Sequence, residues 1–384
     1  MIAIKNLKKA AQRIKRAVKN NENILLFSDA DLDGITSLII LEETIKNLGG
    51  KIKACYFPDL WKDGYGLNKK ALIFFEKYSP ALLILMDSGI GSFKEIEESK
   101  KMGLETIIID HHEVIGKIPD AQIIIDPKQE TDKSPFKFLA ACGVVYKLAE
   151  ELLGVSFSEN IKKNFLELVA LGTIADKMPQ IEDNKVFIEK GLDSLPFSFR
   201  PAFNVFFKKF PLKDYLLEEV IQKLTSTLQI SELKKHLTES YLFLNEKNEK
   251  KAEELLKILL KKTSQRYELI KSLTIYIEEK VSLNNPSFVF EGGEEVPFVL
   301  TGAIAGRICG RTQKPCFIIA TQKGLTKGSV RTPKGVDSIK ALNACSDLLE
   351  MYGGHIPASG FAIKTKNVSA LKSCLAKYFE KTKK

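Results

Sequence analysis

The feature that most constrains this chain is a run of short, almost continuous apolar segments, each ending in a polar or glycine-containing loop. ILLF at 24–27, KIKACYF at 51–57, ALLILM at 81–86, TIIID at 106–110 and QIIID at 122–126 are rich in β-branched residues and sized for strands. Helical-period stretches separate most of them, at 37–48, 69–78, 93–103 and 136–154. Buried strands alternating with helices predict an α/β domain with a doubly wound, mostly parallel sheet covered on both faces. In such sheets ligands collect beyond the carboxyl ends of the strands, where this chain places its aspartates.

The rest of the chain differs. Residues 191–285 are rich in Lys, Glu and Leu at helical spacing and predict a helical connector, with Asn284-Asn285-Pro286 as its boundary. Residues 286–384 predict a smaller α/β unit, with strands at PFVL and PCFIIA, a helix near 337–351 and a terminal helix. A length of 384 residues fits this division into a domain at 1–190, a connector at 191–285 and a domain at 286–384. No apolar run approaches a membrane span, and the N-terminus lacks a secretory signal pattern. The six cysteines form no CxxC pair and are expected as free or buried thiols in a reducing cytoplasm. The net charge of +10 fits an anionic partner, nucleic acid before membrane, or simply a lysine-rich surface. The KK pairs of the connector read as solvated faces, and the KTKK tail as frayed.

The chemistry sits at the strand ends. Asp29, Asp31 and Asp33 follow the first strand at alternate positions, with Gly34 allowing a tight turn into a helix. An Asx-rich helix cap accounts for one such aspartate; three repel one another unless a cation intervenes. No EF-hand spacing follows. Asp87 ends a strand in the equivalent position, Asp110-His111-His112 ends another, and Asp176 closes a helix-like run. Adjacent histidines on a strand point opposite ways, so only one is expected to share a metal with Asp87. Carboxylates with one imidazole suit Mn²⁺ or Mg²⁺, and two such ions could activate water for phosphoryl displacement.

In the last section Ser329 and Arg331 stand two apart, on one side of a strand, suited to a phosphate. Gly353 and Gly354 would let backbone approach a ligand beside His355. Arg307 lies on a helix face and reads equally as surface. Trp61 and Tyr65 could stack a base or pack a core.

These residues resemble the DHH phosphoesterase family, and within it the RecJ branch of single-strand exonucleases. The likeness is carried by DADLDGITS (29–37), DGYGL (63–67), MDSGI (86–90), DHHEV (110–114), IDPKQ (125–129), SPFKFLAACGVVYKLA (134–149) and LVALGTIADKMP (168–179). GAIAGR (302–307), KGSVRT (327–332) and GGHIPASGF (353–361) resemble the DHH-associated domain. Phe27 stands where the small-substrate branches of the family carry a histidine, which favours the RecJ branch. The resemblance implies a DHH catalytic domain, a DHH-associated substrate-binding domain and a two-metal centre, usually Mn²⁺, facing a cleft between them. It implies Asp29, Asp31, Asp33, Asp87, His111 and Asp176 as metal ligands, with Asp87 bridging. It also implies His112 near the scissile phosphate, Asp110 orienting its neighbours, and Ser329, Arg331 and His355 on substrate phosphates.

The sequence departs from the RecJ pattern in three places. It stops soon after GGHIPASGF, where full-length RecJ continues into an OB-fold. TSTLQISELKK replaces an expected Asn-Ala-Ala-Gly-Arg stretch, and Ser359 stands where alanine is commoner. The implied activity is 5′-to-3′ hydrolysis of single-stranded DNA, or RNA, to mononucleotides in DNA repair, with a replication or repair protein as a conceivable partner. A phosphodiesterase for short oligonucleotides or cyclic dinucleotides, and a non-catalytic replication scaffold, are the alternatives. Six intact candidate ligands argue against the scaffold.

Overall fold

The computed structural model describes residues 4–381, apart from 60, 61, 65, 115, 231 and 283–286. Trp61, Tyr65, the Asn284-Asn285-Pro286 boundary and the end of the tail lie outside the described residues. The chain forms two compact units, Met1–Thr263 and Ser264–Lys384. The division falls inside one long helix, Glu249–Ser282.

The first unit is built on five parallel strands: β1 (Asn23–Ser28), β2 (Ile52–Tyr56), β3 (Ala81–Met86), β4 (Leu104–Ile109) and β5 (Ile123–Ile125). Their order in the sheet is β2-β1-β3-β4-β5, the doubly wound arrangement expected. Alternation divides the strand residues between two cores. Leu26, Leu82, Ile84, Ile107 and Ile109 pack on one face, against the helices Leu32–Asn47 and Ala141–Leu153. Leu25, Phe27, Leu83, Leu85 and Ile108 pack on the other, with Leu72, Phe75 and Ile96. A sheet covered on both faces needs apolar residues at every position, which explains the unbroken runs. The helix expected over 136–154 begins only at Ala141, after an extended N-cap residue, Ala140. The segment before Thr263 is largely helical, as expected, but also contains a small hairpin, β6 (Leu233–Lys234) and β7 (Leu237–Thr238).

The second unit holds a mixed sheet of β8 (Val289–Gly293), β9 (Cys316–Gln322), β10 (Leu325–Arg331), β11 (Met351–His355) and β12 (Ala358–Lys364), ordered β11-β12-β10-β9-β8. Only β8 and β9 run parallel. PFVL, expected as a strand, is instead the start of the helix Phe298–Thr312, with Pro297 as its N-cap. An apolar tetrapeptide cannot distinguish a strand from one buried helical turn, and proline suits a helix start. The helix expected near 337–351 is shorter, spanning Ser338–Asn343, with a 3₁₀ turn at Ser346–Leu348 before β11.

The expectation that all cysteines are thiols is corrected here. Cys345 and Cys374 form a disulfide, with Cα atoms 6.1 Å apart. The terminal helix Val368–Lys381 brings together residues 29 apart in sequence, a pairing no local motif announces. The other four cysteines are free. Among the described residues no helix is long and apolar enough to cross a membrane.

Candidate functional site

Four of the five parallel strands run directly into an aspartate. Asp29 follows β1, Asp87 follows β3, Asp110 follows β4 and Asp126 follows β5. The register places these ends side by side, since Ser28 pairs with Met86, Met86 with Ile109, and Ile109 with Ile125. Carboxylates are therefore concentrated at one edge of the sheet.

Local structure then aims each side chain. Asp29 Oδ1 accepts from the Ala30 amide at 2.6 Å. Asp31 is the N-cap of Leu32–Asn47, its Oδ1 accepting from Gly34 N at 3.0 Å, so the cap reading and the cluster reading both hold for this residue. A side chain at Gly34 would lie 2.3 Å from the Asp29 carbonyl oxygen, so only glycine lets the helix start so close to the strand end. Asp33 accepts from the amides of Ala141 (2.7 Å) and Cys142 (2.9 Å), the first residues of the helix Ala141–Leu153. That helix start fixes Asp33, a link that no spacing in the sequence reveals. Asp87 has φ 54°, a left-handed conformation unusual for a non-glycine residue, and its amide donates to Ile109 O at 2.9 Å. Asp176 caps the C-terminus of the helix Glu159–Ala175.

These elements bring together all six residues expected as metal ligands. His111 Nε2 lies 3.3 Å from Asp87 Oδ1 and 3.6 Å from both Asp33 Oδ2 and Asp176 Oδ2. Three triplets place their donor atoms within 4.8 Å of one another: Asp33, His111 and Asp176; Asp87, His111 and His112; and Asp29, Asp31 and Asp87. Asp87 belongs to two of them.

The expected divergence of the two histidines is not found. Their ring centroids are 4.6 Å apart, and His112 Nδ1 approaches Asp87 Oδ1 to 4.0 Å. Strand alternation stops at Ile109, where β4 ends. Beyond it the backbone folds around Asp110, whose Oδ1 accepts from the amides of both His111 (2.8 Å) and His112 (3.3 Å). The same oxygen lies 2.7 Å from His112 Nδ1. Asp110 Oδ2 accepts from Ile90 N at 3.0 Å.

The electrostatics divide this edge in two. Burial and repulsion from neighbouring aspartates push the carboxyls of Asp29, Asp33, Asp87 and Asp176 above their usual range. For the Asp110–His112 pair burial opposes charge on both partners, but their mutual attraction wins: Asp110 is held low and His112 is pushed up to about 9. Asp176 Oδ2 is buried and makes no hydrogen bond. Buried carboxylates that raise one another's pKa, with an oxygen left unsatisfied, fit a site for a hard divalent cation. The donor set of oxygens and imidazole suits Mn²⁺ or Mg²⁺.

In the second unit the register assembles another face. Ser329 and Gly353 both pair with Gly360, while Arg331 and His355 both pair with Ala358. Cross-strand partners share a face, so Ser329, Arg331, Gly353 and His355 lie on one side of the sheet, with Gly360 and Ala358 as a low floor between them. Two strand spacings separate the Ser329–Arg331 edge from the Gly353–His355 edge, about 10 Å. Thr301 Oγ1 lies 2.8 Å from Ser329 Oγ, and a Cβ at Gly302 would lie 3.1 Å from Arg331 Nη2. The helix Phe298–Thr312 thus braces Ser329 through Thr301 and leaves room for the Arg331 guanidinium at Gly302, the first residue of GAIAGR. The two glycines of GGH differ: a Cβ at Gly353 would meet nothing, whereas one at Gly354 would lie 2.6 Å from Ala358 O. Gly354 thus serves the β11–β12 pairing, and Gly353 leaves open surface. Arg307 lies further along the same helix, its guanidinium 4.9 Å from the Tyr267 ring centre.

Comparisons with known proteins place the fold. The DHH family, N-terminal domain, matches residues 23–173. The chain is 31% identical over 387 residues to the single-stranded-DNA-specific exonuclease RecJ of Bacillus subtilis, covering 99% of this chain and 48% of that protein. A crystal structure of exonuclease RecJ bound to manganese superposes with a TM-score of 0.81 at 24% identity, covering 98% of this chain and 95% of that one. The structure of RecJ in complex with Mn²⁺ from Thermus thermophilus gives a TM-score of 0.83 at 24% identity, over 99% of this chain and 56% of that one. The chain spans about half the length of the curated relatives it first matches. From strand-end aspartates to the second sheet, the chain belongs to the DHH family and is homologous to RecJ over nearly its whole length.

Proposed function

We propose that this protein is a divalent-metal-dependent phosphodiesterase that removes nucleotides from the 5′ end of single-stranded DNA, with RNA as a related substrate. The observation that carries this reading is the convergence of five aspartates and two histidines on one sheet edge. The similarity to exonucleases named RecJ supplies the substrate class. Asp29, Asp31, Asp33, Asp87, His111 and Asp176 would hold two ions, Mn²⁺ first and Mg²⁺ second, with Asp87 shared. Bound there, such ions supply charge for the phosphoryl oxygens and a water of lowered pKa.

The chain's own residues do the rest. Asp110 Oδ1, 2.7 Å from His112 Nδ1, fixes the imidazole and favours its charged form. A half-exposed imidazole so held beside Asp87 can, when protonated, hold a non-bridging phosphate oxygen or donate a proton to the leaving oxygen. Ser329 and Arg331 offer a hydroxyl and a guanidinium to a substrate phosphate, with His355 on the far side of the Gly360–Ala358 floor. Gly353 keeps that floor low, and Arg307 can join if its side chain leaves Tyr267.

The test is incubation with Mn²⁺ and two end-labelled single strands, one long and one a trimer. Mononucleotides released progressively from the 5′ end of the long strand are expected. Cleavage of the trimer alone would replace this reading with a short-oligonucleotide phosphodiesterase. No cleavage of either would contradict the hydrolytic assignment.

A further inference from the structure

The hairpin β6–β7 turns through Lys235 and His236, with φ values of 53° and 65°. Two consecutive left-handed residues define a turn that ordinarily selects Asn-Gly, and a Cβ on each residue makes it costly. The hairpin has only two residues per strand, so little in it compensates for that cost. Contacts at the turn hold the conformation. The His236 carbonyl accepts from Phe57 N at 2.9 Å, just beyond the end of β2. The His236 ring lies on Tyr56 with centroids 4.5 Å apart and planes 20° apart. Tyr56 in turn lies parallel to Phe27, at 6.0 Å and 11°. Phe74 flanks the histidine at 5.2 Å, tilted by 52°.

Three near-parallel rings thus run outward from β1. Phe27 and Tyr56 are buried, whereas His236 is exposed. The column starts two residues before Asp29, about 7 Å along the strand from the metal-binding edge. Exposed Lys234 and Lys235 stand beside its outer end. An apolar lid for Tyr56 would call for a leucine or a phenylalanine. A strained turn that ends a ring stack in an exposed imidazole, next to two cations, fits a different task.

We propose that His236 is a base-stacking platform, receiving one nucleobase of the single-stranded substrate on the ring face opposite Tyr56 while Lys234 and Lys235 attract the adjoining phosphates. This rests on the proposed nuclease reading and adds a strand-positioning contact to it. Base–aromatic stacking tolerates every base, as an enzyme without sequence preference requires.

The experiment is steady-state hydrolysis of single strands with Mn²⁺ by wild type, His236→Ala and His236→Phe, on a panel carrying one abasic position each, with thermal melts of all three proteins. For wild type, one abasic position near the cleaved end should raise KM about five-fold or more. His236→Ala should raise KM on the intact strand by a similar factor and lose that positional sensitivity. His236→Phe, which keeps a ring, should retain both. A wild type insensitive to every abasic position would overturn the platform, as would His236→Ala kinetics equal to wild type. His236→Phe behaving like His236→Ala would overturn it too, by assigning the contact to the imidazole nitrogens. A wild type that hydrolyses no strand would instead remove the nuclease reading, so the two failures are distinguishable.

Discussion

The two sheets of this protein solve opposite electrostatic problems. The parallel sheet gathers buried acids that repel one another, and its loops are built to keep them together: an amide pair from a helix start on Asp33, a left-handed backbone at Asp87, and a glycine at position 34. The mixed sheet presents a hydroxyl, a guanidinium and an imidazole over a floor of small residues, braced by Thr301. One concentrates negative charge and the other hydrogen-bond donors, and the contrast yields separable predictions.

The largest effect is expected at Asp87. Asp87→Asn keeps a residue type that tolerates φ 54° but removes the charge shared by two of the donor triplets. Hydrolysis should fall by at least about 100-fold. The metal-free protein should become more stable, because one repelling carboxylate is gone. A melting curve with and without Mn²⁺ checks both halves: a higher apo Tm and a smaller Mn²⁺ shift than wild type.

Arg331→Ala comes next and should act only through the other sheet. Losing a charge-assisted contact to phosphate should weaken substrate binding by about 10- to 100-fold. The Mn²⁺ shift should be untouched. A changed Mn²⁺ shift in Arg331→Ala would break the separation of the two roles.

The pH dependence sharpens the acidic side. Asp29, Asp33, Asp87 and Asp176 are raised in the folded state, so that state retains protons which the unfolded chain has already released. The stability of the metal-free protein should therefore decline as pH rises from about 4 through at least 8, the value to which Asp176 is pushed up. Mn²⁺ displaces those protons, so the Mn²⁺-induced rise in Tm should be larger at pH 8 than at pH 6. Melts across that range test the sign.

The smallest effect belongs to the mixed sheet. Ser359 Oγ is buried with no hydrogen bond, on the face opposite Ser329 and Arg331. Ser359→Ala should stabilise the protein by about 1 kcal/mol, seen in chemical denaturation, without altering hydrolysis.

What the sequence discloses follows the same division. Strand ends followed by aspartates are a local pattern, so the parallel sheet and the gathering of Asp29, Asp87 and Asp110 at its strand ends were legible from the chain, whereas the choice of His111 and Asp176 as ligands came only with the family resemblance. The mutual approach of His111 and His112 was not, because it depends on the turn around Asp110 rather than on strand alternation. In the mixed sheet Ser329 and Arg331 were legible from their spacing. The Gly360–Ala358 floor and the brace from Thr301 depend on register and on a helix from elsewhere in the chain. The Cys345–Cys374 pairing and the turn at His236 are likewise products of tertiary contact, invisible to any short motif.

The most direct measurement is anomalous diffraction at the manganese edge from crystals of wild type equilibrated with Mn²⁺. The account predicts two peaks on the sheet edge, one bounded by Asp33, His111 and Asp176 and the other by Asp29 and Asp31, with Asp87 between them. A single peak, or none at these residues, would contradict a two-metal centre built from the strand-end aspartates.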